Sequence, residues 1–142
     1  DRSVSRGLGD VYKRQVYMLK VTGTQLERMI RHILRDEAFQ GEHTEFYQFS
    51  HGTHIVWSRS EQAFRTLTLD GEALYAERLY TVAVQKYHYN NLKPFLDITL
   101  EEVEKNGKIR VLSTSARDVV EEYLTVNQHL SREVEGRLVV ED

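Results

Sequence analysis

The sequence has no cysteine and only one proline among its 142 residues. The lack of cysteine excludes disulfide bonds and thiolate chemistry, and it is compatible with an oxidising or a reducing compartment. One proline and eight glycines argue against long disordered linkers. No apolar run is long enough to span a membrane, and the net charge of -3 is not that of a general nucleic-acid binder. We therefore expect neither a membrane nor a nucleic acid as a partner.

The remaining composition is that of one globular domain. Hydrophobic residues make up 40% of the chain and charged residues 29%. A chain of this length can bury roughly two-thirds of the surface that it exposes when unfolded. A single core-forming domain is therefore the expected organisation.

The first 15 residues differ from the rest, because they show no helical or strand period and Gly7 and Gly9 interrupt them. Residues 5–15 also resemble the in-frame translation of a transposon-based sequencing adapter. We predict that residues 1–15 are a non-native, disordered leader and that residues 16–142 form a domain that is incomplete at its N-terminal side. The alternative is a basic arm whose cationic side chains contact phosphate: Arg2, Arg6, Lys13 and Arg14.

Two main helices are predicted. Thr24 followed by Glu27 is typical of a capping box, and the apolar residues after it recur at helical spacing over Thr24–Arg35. A second amphipathic pattern covers Asp118–Asn127. Thr99 and Glu102 form another capping box, which predicts a short helix that ends at Asn106-Gly107.

Alternation of apolar and β-branched residues predicts the strands. Asp70-Gly71 between two of them is a hairpin-turn signal. Together these elements predict an α+β fold, in which a mixed β-sheet packs with the two main helices. The predicted strands are 16–21, 46–49, 54–57, 65–69, 80–85, 109–112 and 137–140.

Residues 80–91 are the most informative segment for function. A predicted strand leads into two tyrosines, a histidine and two asparagines. Aromatic faces can stack on a nucleobase, and amides can hydrogen-bond to its edges. If the strand continued, alternation would place Tyr87 and Tyr89 on one face. The candidate substrate-binding residues are Tyr87, Tyr89, Asn90 and Asn91, although the tyrosines could instead be ordinary core or surface residues and the asparagines a turn.

Three ordered motifs carry a resemblance to a known family. They are VTGTQL at 21–26, DGEAL at 70–74 and YTVA at 80–83. In these motifs the chain resembles the C-terminal, substrate-binding domain of the 5'-nucleotidase family of metal-dependent phosphohydrolases, from about Val16 to Val140. The resemblance implies that Tyr87, or else Tyr89, stacks on the base of a nucleotide or nucleoside.

The resemblance also implies what this chain lacks. A separate N-terminal metallophosphatase domain would hold a pair of divalent metal ions and hydrolyse the phosphate ester, so this chain alone is expected to be inactive. The second stacking aromatic of the family lies upstream of Val16. The resemblance therefore implies no catalytic residue and no cofactor in this chain. We also expect no metal site, since the histidine pair His51 and His54 has no carboxylate in the same motif.

One departure from the family leaves the substrate open. Many members carry a Gly-Gly-Asp-Gly stretch whose carboxylate holds the ribose hydroxyls. Here the chain reads Asn91-Leu92-Lys93-Pro94, with Lys93 near the place of the acid. Hydrolysis of a UDP-sugar or of a 2',3'-cyclic nucleotide is therefore an alternative within the family. A non-enzymatic module that binds a nucleotide or a protein is the alternative outside it.

Overall fold

A computed structural model of the chain describes residues 13–40, 47–115 and 135–142. Its strands are β1 (Lys13–Thr22), β2 (Thr53–Ser58), β3 (Ala63–Leu69), β4 (Glu72–Ala73), β5 (Leu79–Gln85), β6 (Arg110–Ser115) and β7 (Leu138–Glu141). Its helices are α1 (Gly23–Ile33), α2 (Lys86–Tyr89), α3 (Leu92–Leu96) and α4 (Leu100–Asn106), with a 3-10 turn at Asp36–Phe39. No helix in these ranges is long and apolar enough to cross a membrane.

The strands form two sheets. The first has the order β5-β1-β6, and both of its strand pairs are antiparallel. The second has the order β4-β3-β2-β7, in which β7 runs parallel to β2. The predicted α+β class is confirmed. The single mixed sheet is corrected to two sheets, because alternation along a strand indicates its buried face but not its partner strand.

Helix α1 lies between the two sheets, because its apolar residues belong to two hydrophobic clusters. Met29 packs in the first cluster with β1, α3 and α4. Ile30 and Leu34 pack in the second cluster with β2. Leu26 and Ile33 contact both clusters. The buried members are Leu19, Val21, Met29, Leu92, Leu96, Ile98 and Val103 in the first cluster, and Ile30, Leu34, Ile55 and Trp57 in the second.

The start of α1 differs from the prediction. Thr22 is the N-cap, and its hydroxyl accepts a hydrogen bond from the backbone N–H of Gln25 at 3.2 Å. The Gln25 side chain accepts from the Thr22 N–H at 2.9 Å, which completes the capping box. The Thr24 hydroxyl instead donates to the carbonyl of Ala76. The Thr24–Glu27 assignment was wrong, because T-x-x-Q and T-x-x-E overlap here and β1 runs directly into Thr22.

The bounds of two other predicted segments also differ from those in the structure. Residues 47–50 form no strand, because the Phe49 ring packs on the second cluster and its carbonyl accepts from Arg137 at 2.7 Å. Lys13–Gln15, which we assigned to the leader, form the first residues of β1 and pair with residues 113–115 of β6. The predicted helix Asp118–Asn127, Phe46 and the first 12 residues lie outside the described residues.

The two predicted turn signals after β3 and α4 are confirmed. Asp70 and Gly71 both have positive φ, at 52° and 83°, as a type I′ hairpin turn requires. Thr99 caps α4 with Glu102 in a complete capping box, and Gly107 follows the last residue of the helix. Local sequence was sufficient to predict this hairpin turn and this helix end, because each depends on residues adjacent in the chain.

Glu102 does more than cap its own helix. Its carboxylate accepts a hydrogen bond from Arg28 of α1 at 2.5 Å, which joins α1 to α4. This hydrogen bond, helped by those from Thr99, lowers the pKa of Glu102 below its usual 4.5. Glu102 is therefore a half-buried, ion-paired residue that couples two helices.

Replacing Gly23 with alanine should destabilise the fold. An added Cβ would lie 2.0 Å from the carbonyl oxygen of Tyr75, so backbone must move, at a cost of about 2–3 kcal/mol. Gly71→Ala is the control, since nothing lies within 4 Å there and only the positive φ opposes the change, at about 1 kcal/mol. Urea unfolding measures both free energies. Equal losses would contradict the close packing of Gly23.

Replacing Glu102 with glutamine should remove the charge and keep the cap. We expect a loss of about 1 kcal/mol at pH 7. Because the folded-state pKa is lowered, the stabilisation is present above pH 4.5 and is lost as the pH falls through the lower, folded-state value. The free energies of unfolding of the variant and the parent should converge in acid. A difference that stays constant from pH 7 to pH 3 would contradict the ion pair.

Candidate functional site

The predicted site lies where the first sheet ends. Strand β5 stops at Gln85, and the single-turn helix α2 begins at Lys86. The backbone N–H of Asn90 closes this turn on the Lys86 carbonyl at 2.9 Å. The strand does not continue as far as Tyr87, so the condition under which Tyr87 and Tyr89 would share one face is not met. Residues two apart in a helix point in different directions.

Tyr87 has an exposed ring with aromatic neighbours. The side chain is 58% exposed. Its ring lies 5.4 Å from that of Phe95, with planes inclined by 53°, and 5.8 Å from that of His88, with planes inclined by 80°. His88 and Phe95 also contact each other at 5.5 Å. These three residues form an aromatic cluster, in which Tyr87 keeps ring surface available for stacking.

Tyr89 has a different environment. Its ring stacks on that of Tyr17 in β1, with centroids 3.9 Å apart and planes inclined by only 10°. Both rings pack against the first hydrophobic cluster. One face of Tyr89 is therefore covered, and the residue joins α2 to the sheet.

The two asparagines also differ. The Asn91 side-chain amide donates to the backbone carbonyl of Tyr87 at 2.8 Å, so it satisfies a carbonyl at the end of α2. Asn90 is exposed, and its side chain has no hydrogen bond to the part of the chain that the structure describes. Of the two amides, Asn90 is the one available to a ligand. Asn91 supports the backbone of Tyr87.

Lys93, which we expect near the place of the family's acid, is paired with a carboxylate. Its ammonium donates to Asp97 at 2.8 Å, one helical turn further along α3. This hydrogen bond lowers the pKa of Asp97 below its usual value, so the carboxylate is charged at neutral pH. The segment therefore carries both charges of an ion pair.

Helix α3 is held against α1. The carbonyl of Pro94 can only accept, so the His32 ring nitrogen 2.8 Å away donates to it. Leu92 and Leu96 are buried in the first cluster on the same short helix. The Phe95 ring thus comes from an element with polar and apolar contacts to the core.

His51 and His54 lie away from the aromatic cluster, beside residues 135 and 136. His51 contacts the Glu135 carboxylate at 3.1 Å, and His54 lies 3.3 Å from the carbonyl of Gly136. Hydrogen bonds from Arg137 and then from His51 lower the pKa of Glu135 to about 2. Among the described residues no three histidine, aspartate or glutamate side chains are grouped as a metal site.

Sequence reasoning missed two neighbours of the candidate site, Phe95 and Asp97. Phe95 lies outside residues 80–91, the segment in which we placed the candidate site. A helical spacing of four residues between Lys93 and Asp97 is a recognisable ion-pair signal. The contact between Phe95 and Tyr87 depends on how α2 and α3 fold against each other, and no local pattern predicts it.

The chain belongs to the family described as 5'-nucleotidase, C-terminal domain, whose model matches residues 10–96. The predicted family membership is thereby confirmed. No curated protein matches the chain.

Solved structures support the same fold. A 5'-nucleotidase precursor from Thermus thermophilus superposes with a TM-score of 0.65 at 16% identity, over 91% of this chain and 25% of that one. A candidate 5'-nucleotidase from Staphylococcus aureus, solved in complex with α-ketoglutarate, gives 0.62 at 14% identity, over 91% of this chain and 28% of that one. The chain therefore spans only about a quarter of the length of these two proteins.

Replacing Asn91 with alanine should destabilise the fold by about 1 kcal/mol, because the Tyr87 carbonyl loses its donor. Asn90→Ala is the matched control and should change the free energy of unfolding by less than about 0.5 kcal/mol. Urea unfolding at pH 7 measures both variants. Equal effects of the two substitutions would contradict the supporting role of Asn91.

Proposed function

We propose that this chain is the nucleotide-binding domain of a 5'-nucleotidase-type phosphohydrolase. In this proposal Tyr87 stacks on the base, and Asn90 is placed to hydrogen-bond to the base or the sugar. The observation that carries the proposal is the exposed Tyr87 ring, which stands beyond β5 in a member of this family. Stacking of a base on an aromatic ring contributes roughly 1–3 kcal/mol.

The position of Tyr87 suits such a role. Tyr87 lies two residues beyond β5 and presents a flat apolar surface, and the exposed Asn90 follows it three residues later. Tyr89 is less suited, because Tyr17 already covers one of its faces. Asn91 acts indirectly, since its amide is bonded to the Tyr87 backbone.

We assign the hydrolytic chemistry to a part of the enzyme outside this chain. The two solved structures belong to chains between three and four times as long, since 91% of this chain covers 25% and 28% of them. A divalent metal pair in an N-terminal metallophosphatase domain would supply an activated water for attack on phosphorus. The residues of this chain would bind and orient the nucleoside part of the substrate.

The ion pair at Lys93 favours a second candidate substrate class. The Lys93 ammonium has three donors and gives one to Asp97. The second phosphate of a UDP-sugar, or the ribose-bound cyclic phosphodiester of a 2',3'-cyclic nucleotide, could accept from the others. Comparing a 5'-monophosphate, a UDP-sugar and a 2',3'-cyclic nucleotide as substrates of the longer enzyme separates these classes.

Tyr87→Ala should raise KM of the longer enzyme by roughly 5- to 100-fold with little effect on kcat, because stacking stabilises the bound substrate and the transition state alike. Tyr75→Ala is the matched control. Tyr75 is also exposed, at 51%, but it lies before β5, about 20 Å away along the strand. The KM of the Tyr75→Ala enzyme should equal that of the parent enzyme.

Two results would contradict the proposal. An unchanged KM in Tyr87→Ala would exclude this residue from base binding. Phosphate release from nucleotides by this chain alone, with divalent metal added, would exclude the assignment of the chemistry to another domain. If the longer protein binds nucleotides and never hydrolyses them, the non-enzymatic module is the correct class.

A further inference from the structure

We propose that Phe95 is a positioning residue for Tyr87: it restricts the Tyr87 side chain to the orientation in which its exposed ring can receive a base. This inference rests on the proposed function. It assigns a role in ligand binding to a residue that need not touch the ligand.

Tyr87 has little support from its own helix. Helix α2 has four residues, and the ring projects with more than half of its surface exposed. An exposed side chain that must adopt one rotamer on binding loses conformational entropy at that moment. A neighbour that restricts the rotamer beforehand reduces this loss and so strengthens binding.

Phe95 is placed to provide that restriction. Its ring centroid is 5.4 Å from that of Tyr87 and 5.5 Å from that of His88, within the range of favourable tilted and edge-to-face ring contacts. His88 in turn contacts Tyr87 at 5.8 Å and Tyr47 at 5.5 Å. The Tyr87 ring therefore meets two other rings that also contact each other.

Phe95 is itself fixed to the core. It packs against the first hydrophobic cluster, and Leu92 and Leu96 of the same helix are buried in that cluster. The carbonyl of the adjacent Pro94 accepts from His32 of α1. Phe95 thus connects the exposed Tyr87 ring to the first hydrophobic cluster.

The first test measures the Tyr87 rotamer in the free chain by NMR, from the three-bond couplings that report χ1. We expect a single rotamer in the parent chain and averaged couplings in Phe95→Leu, which keeps apolar volume and removes the ring. Phe95→Tyr restores a ring and should restore the single rotamer. Phe39→Leu, which makes the same substitution at an exposed ring under Arg59, is the control and should change nothing at Tyr87.

The second test titrates the same chains with adenosine 5'-monophosphate and follows the resonances by NMR. Phe95→Leu should weaken binding roughly three- to tenfold, and Phe95→Tyr should bind like the parent. Because Phe95 acts through Tyr87, the double variant Tyr87→Ala, Phe95→Leu should bind no more weakly than Tyr87→Ala alone.

The outcomes separate the two hypotheses. If Tyr87→Ala weakens binding while Phe95→Leu changes neither the rotamer nor the affinity, the positioning role is overturned and the proposed function stands. If Phe95→Leu weakens binding equally with and without the Tyr87 ring, Phe95 acts independently of Tyr87 and the inference is also overturned. If Tyr87→Ala binds like the parent, the proposed function fails and the positioning role fails with it.

Discussion

The two-sided packing of helix α1 is the contact on which the rest of the structure depends. Met29 faces the first hydrophobic cluster, Ile30 and Leu34 face the second, and Leu26 and Ile33 reach both. Full burial of a side chain such as Met29, Ile30 or Leu34 contributes about 1.5–3 kcal/mol. The residues that join the two sheets are therefore also among the most stabilising ones. An ordinary surface helix has one apolar stripe, and the wider apolar surface of α1 lets one helix serve two sheets.

Both ends of α1 form hydrogen bonds to the segments that flank the candidate site. The N-terminal end of α1 is bonded to the segment that leads into β5, since the N–H groups of Gly23 and Thr24 donate to the carbonyls of Arg78 and Ala76. Its other end holds α3 through His32. Helix α2, with Tyr87, lies between these two attached elements. The backbone on both sides of the exposed Tyr87 ring is therefore attached to neighbouring elements, and α1 contributes to both attachments.

Much of the fold could be predicted, but the site only in part. The Asp70-Gly71 turn, the Thr99 capping box and the apolar positions of α1 were predicted correctly, because each depends on residues close in the chain. The assignment of the α1 cap failed where two capping patterns overlapped. Within the site, all four candidate residues lie together at the end of β5, yet their environments differ. The stacking of Tyr89 on Tyr17 and the contact of Tyr87 with Phe95 join residues from different elements, which no periodicity encodes.

The sequence by itself determined the family, most of the strands, the helices α1 and α4 and the segment that carries the candidate site, because short motifs, turn residues and apolar spacing are local properties. Only the tertiary structure decided which tyrosine stays exposed and which asparagine is engaged. It also decided that the strands divide into two sheets. These outcomes depend on which surfaces meet when α1, α2 and α3 pack on β1, and packing between distant segments is settled by the shape and burial of the whole chain rather than by any stretch of it.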